Sequence, residues 1–246
     1  EGPIPLVISL VGFGANPAFQ RYVSRWDNSA DKHHFLVAYP QGSSFPLRFN
    51  AGPVYKIPDI DDVQLIRDLI TEIGGVFNID GKRANANGMS GGAHMTDRIA
   101  LELADEVAAV GMVSGSYLEF AGSSKPQRAI PVIAFHGTAD PIVPFHGGPS
   151  GGFDLPFPDI PQWMKSRAEL NGCLATPDPL PAAGEVSGVR YTGCLEDAEV
   201  VFYTIKGGGH TWPGGNPLPE RITGPTTQDI SASETMWQFF THYTLD

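Results

Sequence analysis

The sequence predicts an α/β fold, a mostly parallel central sheet flanked by helices. Two observations lead there. Short apolar, β-rich runs at 6–11, 35–39, 107–113, 131–135 and 200–205 are each closed by Gly or Pro and have the length of buried strands. Between them lie stretches with the period of amphipathic helices. A chain of 246 residues can bury one large core, so residues 1–246 are expected to form a single domain, with no repeat or linker.

The elements follow in order. Run 6–11 leads into Gly12-Phe13-Gly14, and run 35–39 forms the next strand. Over 61–73, Val63, Ile66, Leu69, Ile70 and Ile73 fall on one helical face. Residues 83–87 carry Asn85 and Asn87 where a central strand prefers β-branched residues, so propensity alone places no strand there. Residues 93–104 are compatible with a helix that packs through Met95, Ile99, Leu101 and Leu103. The stretch 145–161, rich in Gly, Pro and Phe, reads as a long surface loop. A last helix starts near Ser231, where Glu234 has capping-box spacing ahead of Met236, Trp237, Phe239 and Phe240.

Composition narrows the partners. The hydrophobic fraction is 41% against 17% charged residues, as in compact globular proteins, and 29 Gly with 22 Pro imply many tight loops. A formal net charge of −11 without a Lys/Arg cluster argues against nucleic acid. No apolar run approaches the roughly 18 residues that span a bilayer, so no membrane insertion is expected. The start, EGPIPLVISL, lacks the basic region of a signal peptide, so the leader of an exported protein would already have been removed. Two cysteines, Cys173 and Cys194, cannot make a four-thiolate zinc site. Their spacing leaves open a disulfide, with the oxidising compartment it implies, or two buried thiols.

In a sheet of this kind ligands sit beyond the carboxyl ends of the strands, so the loops there carry the chemistry. Gly88-Met89-Ser90-Gly91-Gly92 matches G-x-S-x-G, in which glycines permit a sharp strand-to-helix turn that presents a serine. A serine hydroxyl needs a base, and His210 follows run 200–205 through Gly207-Gly208-Gly209, a flexible strand-end loop. The other histidines are placed less well. His33 and His34 precede a strand, His242 sits near the C-terminus, and His94 and His136 fall where structural hydrogen bonds are expected. A carboxylate to orient the base follows run 131–135 directly, at Asp140. The backbone N–H of Gly91 and that of Phe13 are the expected oxyanion donors. Gly12-Phe13-Gly14 is not a dinucleotide fingerprint, for the third glycine is missing, and Gly81-Lys82-Arg83 is not a phosphate loop.

The order serine, aspartate, histidine is that of α/β-hydrolases. With these residues placed, the chain resembles the polyhydroxybutyrate depolymerase and feruloyl esterase-like family of that fold. The resemblance rests on LVGFGAN, RWDNSADKHHFLVAYPQG, FNAG, DIDDVQLIRDLI, NGMSGGAHM, FHGTADPIVP, NGC, YTGC and GGGHTWPGG, in that order. It implies that Ser90, Asp140 and His210 form the triad and that Cys173 and Cys194 form a disulfide of a secreted protein. It also implies hydrolysis of feruloyl, acetyl or hydroxyalkanoate esters through an acyl-Ser90 intermediate, without metal or organic cofactor.

Two departures stand out. Val11 replaces the histidine that precedes the family's oxyanion loop, which puts the loop's fixed shape in question. Residue 1 lies just before the strand that is third in the fuller fold, so the N-terminal hairpin is expected to be absent and the sheet smaller by two strands. Trp212, two residues from His210, is the expected substrate wall; Phe145, Phe153, Phe157 and Trp163 are further candidates that, taken singly, read as core rather than wall. The competing reading, motivated by Val11, is a hydrolase-like module that binds ester-bearing polymers without turnover.

Overall fold

The computed structural model describes residues 2–52, 57–116, 126–150 and 153–246, with the side chains of 150 and 153–156 outside that description. The strands are β1 (Ile4–Leu10), β2 (Leu36–Ala38), β3 (Ile79–Met89), β4 (Val110–Val113), β5 (Val132–Gly137), β6 (His146–Ser150), β7 (Phe153–Asp159), β8 (Asp178–Ala183), β9 (Val186–Tyr191) and β10 (Val200–Ile205). The helices are α1 (Pro17–Ser24), α2 (Trp26–His33), α3 (Asp62–Val76), α4 (Gly91–Glu102), α5 (Ile160–Leu170), α6 (Glu220–Thr223) and α7 (Ala232–Phe240).

Eight strands form one sheet in the order β2-β1-β3-β4-β5-β10-β9-β8. From β2 to β10 every pairing is parallel, and β9 and β8 continue antiparallel. The pleat sends Leu6, Ile8 and Leu10 to one core and Val7 to the other. Side chains of α3, α4 and α5 fill the first core, through Ile66, Ile99 and Met164 among others. Trp26 of α2 and Met236, Trp237 and Phe240 of α7 fill the second. The α/β expectation holds, with helices on both faces.

Three expectations need correction. At the β2 edge the described residues supply no further strand, but the sheet is not two strands smaller. The hairpin β8–β9 extends the opposite edge; its Pro/Ala-rich, mostly exposed first strand, DPLPAA, has no apolar pattern to reveal it. The described residues of 145–161 are not a loop, since β6 and β7 pair antiparallel and α5 follows. Residues 83–87 lie in β3, the strand between β1 and β4. Asn87 is tolerated there because its Oδ1 accepts from Ser9 Oγ at 2.8 Å and from Trp26 Nε1 at 3.1 Å.

Helices α3 and α7 begin on side-chain caps, of which the one at Ser231 is the expected one. Asp61 accepts from the backbone N–H of Val63 and Gln64 at the start of α3, and Ser231 accepts from Glu234 N at the start of α7. The capping box is half made. The Glu234 carboxylate turns away to Ser29 Oγ, Lys32 Nζ and His33 Nε2, tying α7 to α2. Cys173 and Cys194 are joined as a disulfide, which closes the alternative of two thiols.

Candidate active site

Ser90 sits on the turn between β3 and α4 with φ 55° and ψ −122°, a backbone conformation that non-glycine residues hold only where the surroundings enforce it. Its N–H donates to Val113 O at 2.9 Å, and its own carbonyl accepts from His94 N at 3.1 Å. The flanking glycines are required by space. A Cβ on Gly88 would stand 2.4 Å from the Gly92 carbonyl, and one on Gly92 would stand 2.2 Å from Leu10 O. With no side chains there, α4 can start directly on β1 and β3.

The loop after β1 lies against this turn. A Cβ on Gly12 would be 3.2 Å from Ser90 Cβ, and one on Gly91 would be 3.1 Å from Phe13 N. The two predicted oxyanion donors, the amides of Phe13 and Gly91, are therefore neighbours beside Ser90. Val11 is buried in the first core. The loop's shape comes from the backbone: Gly14 N donates to Leu47 O at 2.7 Å, Ala15 N donates to Gly12 O at 3.3 Å, and Asn16 caps α1.

Asp140 and His210 come together from loops after β5 and β10. His210 Nδ1 donates to Asp140 Oδ2 at 2.8 Å, and Asp140 Oδ1 accepts from Ile142 N and Val143 N, each at 2.8 Å. Glycine again permits the approach: a Cβ on Gly137 would lie 2.1 Å from Gly208 O, which accepts from Ala139 N at 2.9 Å. Burial alone would raise the Asp140 carboxyl. His210, His136 and the Val143 N–H outweigh it and hold it below the ordinary carboxylate range.

Two further histidines surround this pair. His136 Nε2 donates to Val143 O at 2.9 Å and stands 3.5 Å from Asp140 Oδ2, the structural role expected of it. His94, one turn into α4, is buried. Burial first, then the nearby His210 and His136, hold its imidazole down at about 3, so it is neutral at neutral pH. Burial also lowers His136.

Ser90 and His210 line one cleft of about 500 Å³, together with Phe13, Phe19, Met89, Ile142 and Leu218. Its walls are apolar, and the volume suits a small organic ligand. The expected wall residues are elsewhere. Trp212 is 1% exposed, packed in the second core and absent from the cleft lining, with Nε1 donating to Ser233 Oγ at 3.0 Å. Its assignment as a substrate wall is wrong, because an indole buried with its N–H satisfied has no face left for a ligand. Phe145, Phe157 and Trp163 are buried in the first core, as their core reading has it, and the side chain of Phe153 lies outside the described residues. The true walls escaped the sequence reading, for Phe19 sits on a helix and Ile142 and Leu218 in loops where nothing in composition marks them. Among the described residues no cluster of His, Cys, Asp or Glu could hold a metal ion, and no helix is long and apolar enough to cross a membrane.

Comparison with known proteins gives this geometry a context. No family model matches the chain. "Putative esterase NocK" of Nocardia uniformis subsp. tsuyamanensis is 30% identical over 96% of this chain and 73% of its own length. "Feruloyl esterase B" of Piromyces equi is 32% identical over 71% of this chain. The "Bifunctional acetylxylan esterase/xylanase" of Neocallimastix patriciarum is 25% identical over 98% of it. The chain spans only 33% and 31% of the length of those last two. Among solved structures, an acetyl xylan esterase from Aspergillus awamori matches 97% of this chain and 89% of its own, with a TM-score of 0.67 at 14% identity, a likeness of fold.

Proposed function

Given that the chain belongs to the feruloyl esterase-like family of α/β-hydrolase esterases, we propose that it hydrolyses carboxylic esters through an acyl-Ser90 intermediate. The observation that carries the reading is the 2.8 Å bond between His210 Nδ1 and Asp140, with the imidazole and Ser90 lining one cleft. His210 takes the proton from Ser90 Oγ as the oxygen attacks the ester carbonyl carbon. Asp140 holds the proton on Nδ1 and stabilises the imidazolium that forms. The amides of Gly91 and Phe13 donate to the oxyanion. The carbonyl re-forms, the alcohol leaves with the proton from His210, and water repeats the sequence to release the acid and restore Ser90. No metal or organic cofactor enters any step.

The apolar walls Phe13, Phe19, Met89, Ile142 and Leu218 suit an acyl group such as feruloyl or acetyl. The feruloyl and acetylxylan names of the relatives favour such groups on a polysaccharide over a polyester. The disulfide supports an oxidising compartment and therefore secretion. Hydrolysis of 4-nitrophenyl acetate by the protein and by Ser90→Ala tests the mechanism. We expect turnover by the first and only background by the second. Equal rates would sink the triad assignment, and no turnover by either would favour a binding module. A panel of methyl ferulate, acetylated xylan and short hydroxybutyrate esters then ranks the acyl groups.

A further inference from the structure

Residues 211–216, directly after His210, take no part in the steps above, yet they build a second surface feature. A Cβ on Gly215 would lie 1.9 Å from Val23 O, and Asn216 Nδ2 donates to Tyr22 O at 2.7 Å. Trp212 reaches Ser233, whose Oγ donates to Ser24 O at 2.7 Å. The histidine loop is thereby locked along the end of α1. Where they meet, a shallow groove of about 330 Å³ opens, lined by Arg21, Tyr22, Arg25, Asn28 and Asn216 among others.

This groove and the Ser90 cleft draw different residues from the same two segments. Helix α1 gives Phe19 to the cleft and Arg21 and Tyr22 to the groove; the histidine loop gives Leu218 to one and Asn216 to the other. The charges in it do not cancel. Arg21 is paired with Asp27, whose Oδ1 accepts from the Tyr39 hydroxyl at 2.7 Å. Arg25, exposed at the α1–α2 junction with φ 54°, makes no side-chain hydrogen bond or ion pair with any described residue. One uncompensated guanidinium thus stands in this groove, in a protein whose formal net charge is −11. Beside it Tyr22 is 54% exposed, and the Asn28 and Asn216 amides offer groups that match hydroxyls.

An ester at Ser90 has its acyl and alcohol parts on opposite sides of the reacting carbon, so a polymer-borne ester needs a second groove continuous with the cleft. We propose that the Tyr22–Arg25–Asn216 groove holds the alcohol part, and that this alcohol is a sugar chain bearing a carboxylate. A phenol ring packs on the C–H face of a sugar, amides meet its hydroxyls, and a guanidinium fork matches a carboxylate better than a neutral group. The inference rests on the esterase reading and adds the class of the leaving group.

The test uses two soluble oligosaccharide esters with one acyl group in common, a neutral xylo-oligosaccharide and the same chain with a glucuronic acid branch. At low salt the protein should prefer the acidic ester about three- to fivefold in kcat/KM, through KM, the size of one exposed ion pair. The preference should vanish at about 0.5 M salt, where such a pair is screened. It should vanish also in Arg25→Gln and survive in part in Arg25→Lys. Equal kcat/KM for the two esters, or a preference that persists in Arg25→Gln, overturns the proposal. Rates on 4-nitrophenyl acetate with the same preparations separate this from the parent reading: loss of the preference in a wild-type protein that still hydrolyses this acetate overturns the groove alone.

Discussion

Replacing Asp140 by Asn changes one charge and one proton at the best-defined contact of the site. In the native protein Oδ2 accepts from His210 Nδ1 at 2.8 Å, while Oδ1 holds the backbone N–H groups of Ile142 and Val143. Asparagine can keep its oxygen on those two donors, which turns its NH₂ toward Nδ1. Nδ1 must then accept, the ring carries its proton on Nε2, and the nitrogen available to Ser90 can no longer act as a base. The imidazolium formed during attack also loses its carboxylate. Together these cost about 10³ to 10⁴ in kcat, or about 4 to 5.5 kcal/mol of barrier. KM should move little, because Asp140 does not line the cleft. Steady-state kinetics with 4-nitrophenyl acetate, beside a thermal melt to show an intact fold, give the answer. A folded Asp140→Asn protein that keeps more than about a tenth of the wild-type kcat refutes the proposed role of the aspartate.

Other outcomes follow from the same contacts. Trp212→Phe removes the bond to Ser233 from a buried site, so stability should fall by about 1 to 2 kcal/mol with kcat/KM within about twofold of wild type; a tenfold loss of kcat/KM at unchanged Tm would restore the indole to the substrate site. Removing the disulfide by Cys173→Ser with Cys194→Ser should cost about 3 kcal/mol, read as a lower denaturant midpoint, while kcat is kept; an unmoved midpoint would contradict this. Burial alone would raise Glu234, but bonds from His33, Ser29 and Lys32 prevail and hold its carboxyl at about 2, below its ordinary 4.5. Its contribution to stability is therefore complete above about pH 4.5 and lost as pH falls toward 2. Melts of Glu234→Gln against wild type should show a deficit of about 1 kcal/mol near neutral pH that closes in acid; a deficit that grows in acid would reverse the sign of the argument.

The parts of this molecule legible in the sequence are those where one local rule decides. Ser231 caps α7 because a short polar side chain reaches an orphan N–H group, and the buried runs at 131–135 and 200–205 are strands. The site was legible for a related reason, since glycine-bounded turns after strands can place a serine, a carboxylate and an imidazole at one sheet edge. Where distant partners decide, the reading failed. Asn87 becomes a strand residue only because Ser9 and Trp26, far away in sequence, satisfy its side chain. The hairpin β8–β9 forms by pairing with β10, through backbone groups that carry no apolar signature. Trp212 is close to His210 in sequence, but its indole is buried in the core with α7, its Nε1 donating to Ser233 Oγ. Val11 lies buried in the first core, and the oxyanion loop beside it carries main-chain bonds at Gly14 and Ala15.

The central claim is that Ser90 is the residue acylated during turnover. Treatment with a serine-directed fluorophosphonate followed by mass spectrometry of the intact and digested protein tests it most directly. One adduct per chain is expected, on the peptide that contains Ser90, together with complete loss of esterase activity and no labelling of Ser90→Ala. An adduct at another residue, or an unlabelled protein that still hydrolyses 4-nitrophenyl acetate, would contradict the account.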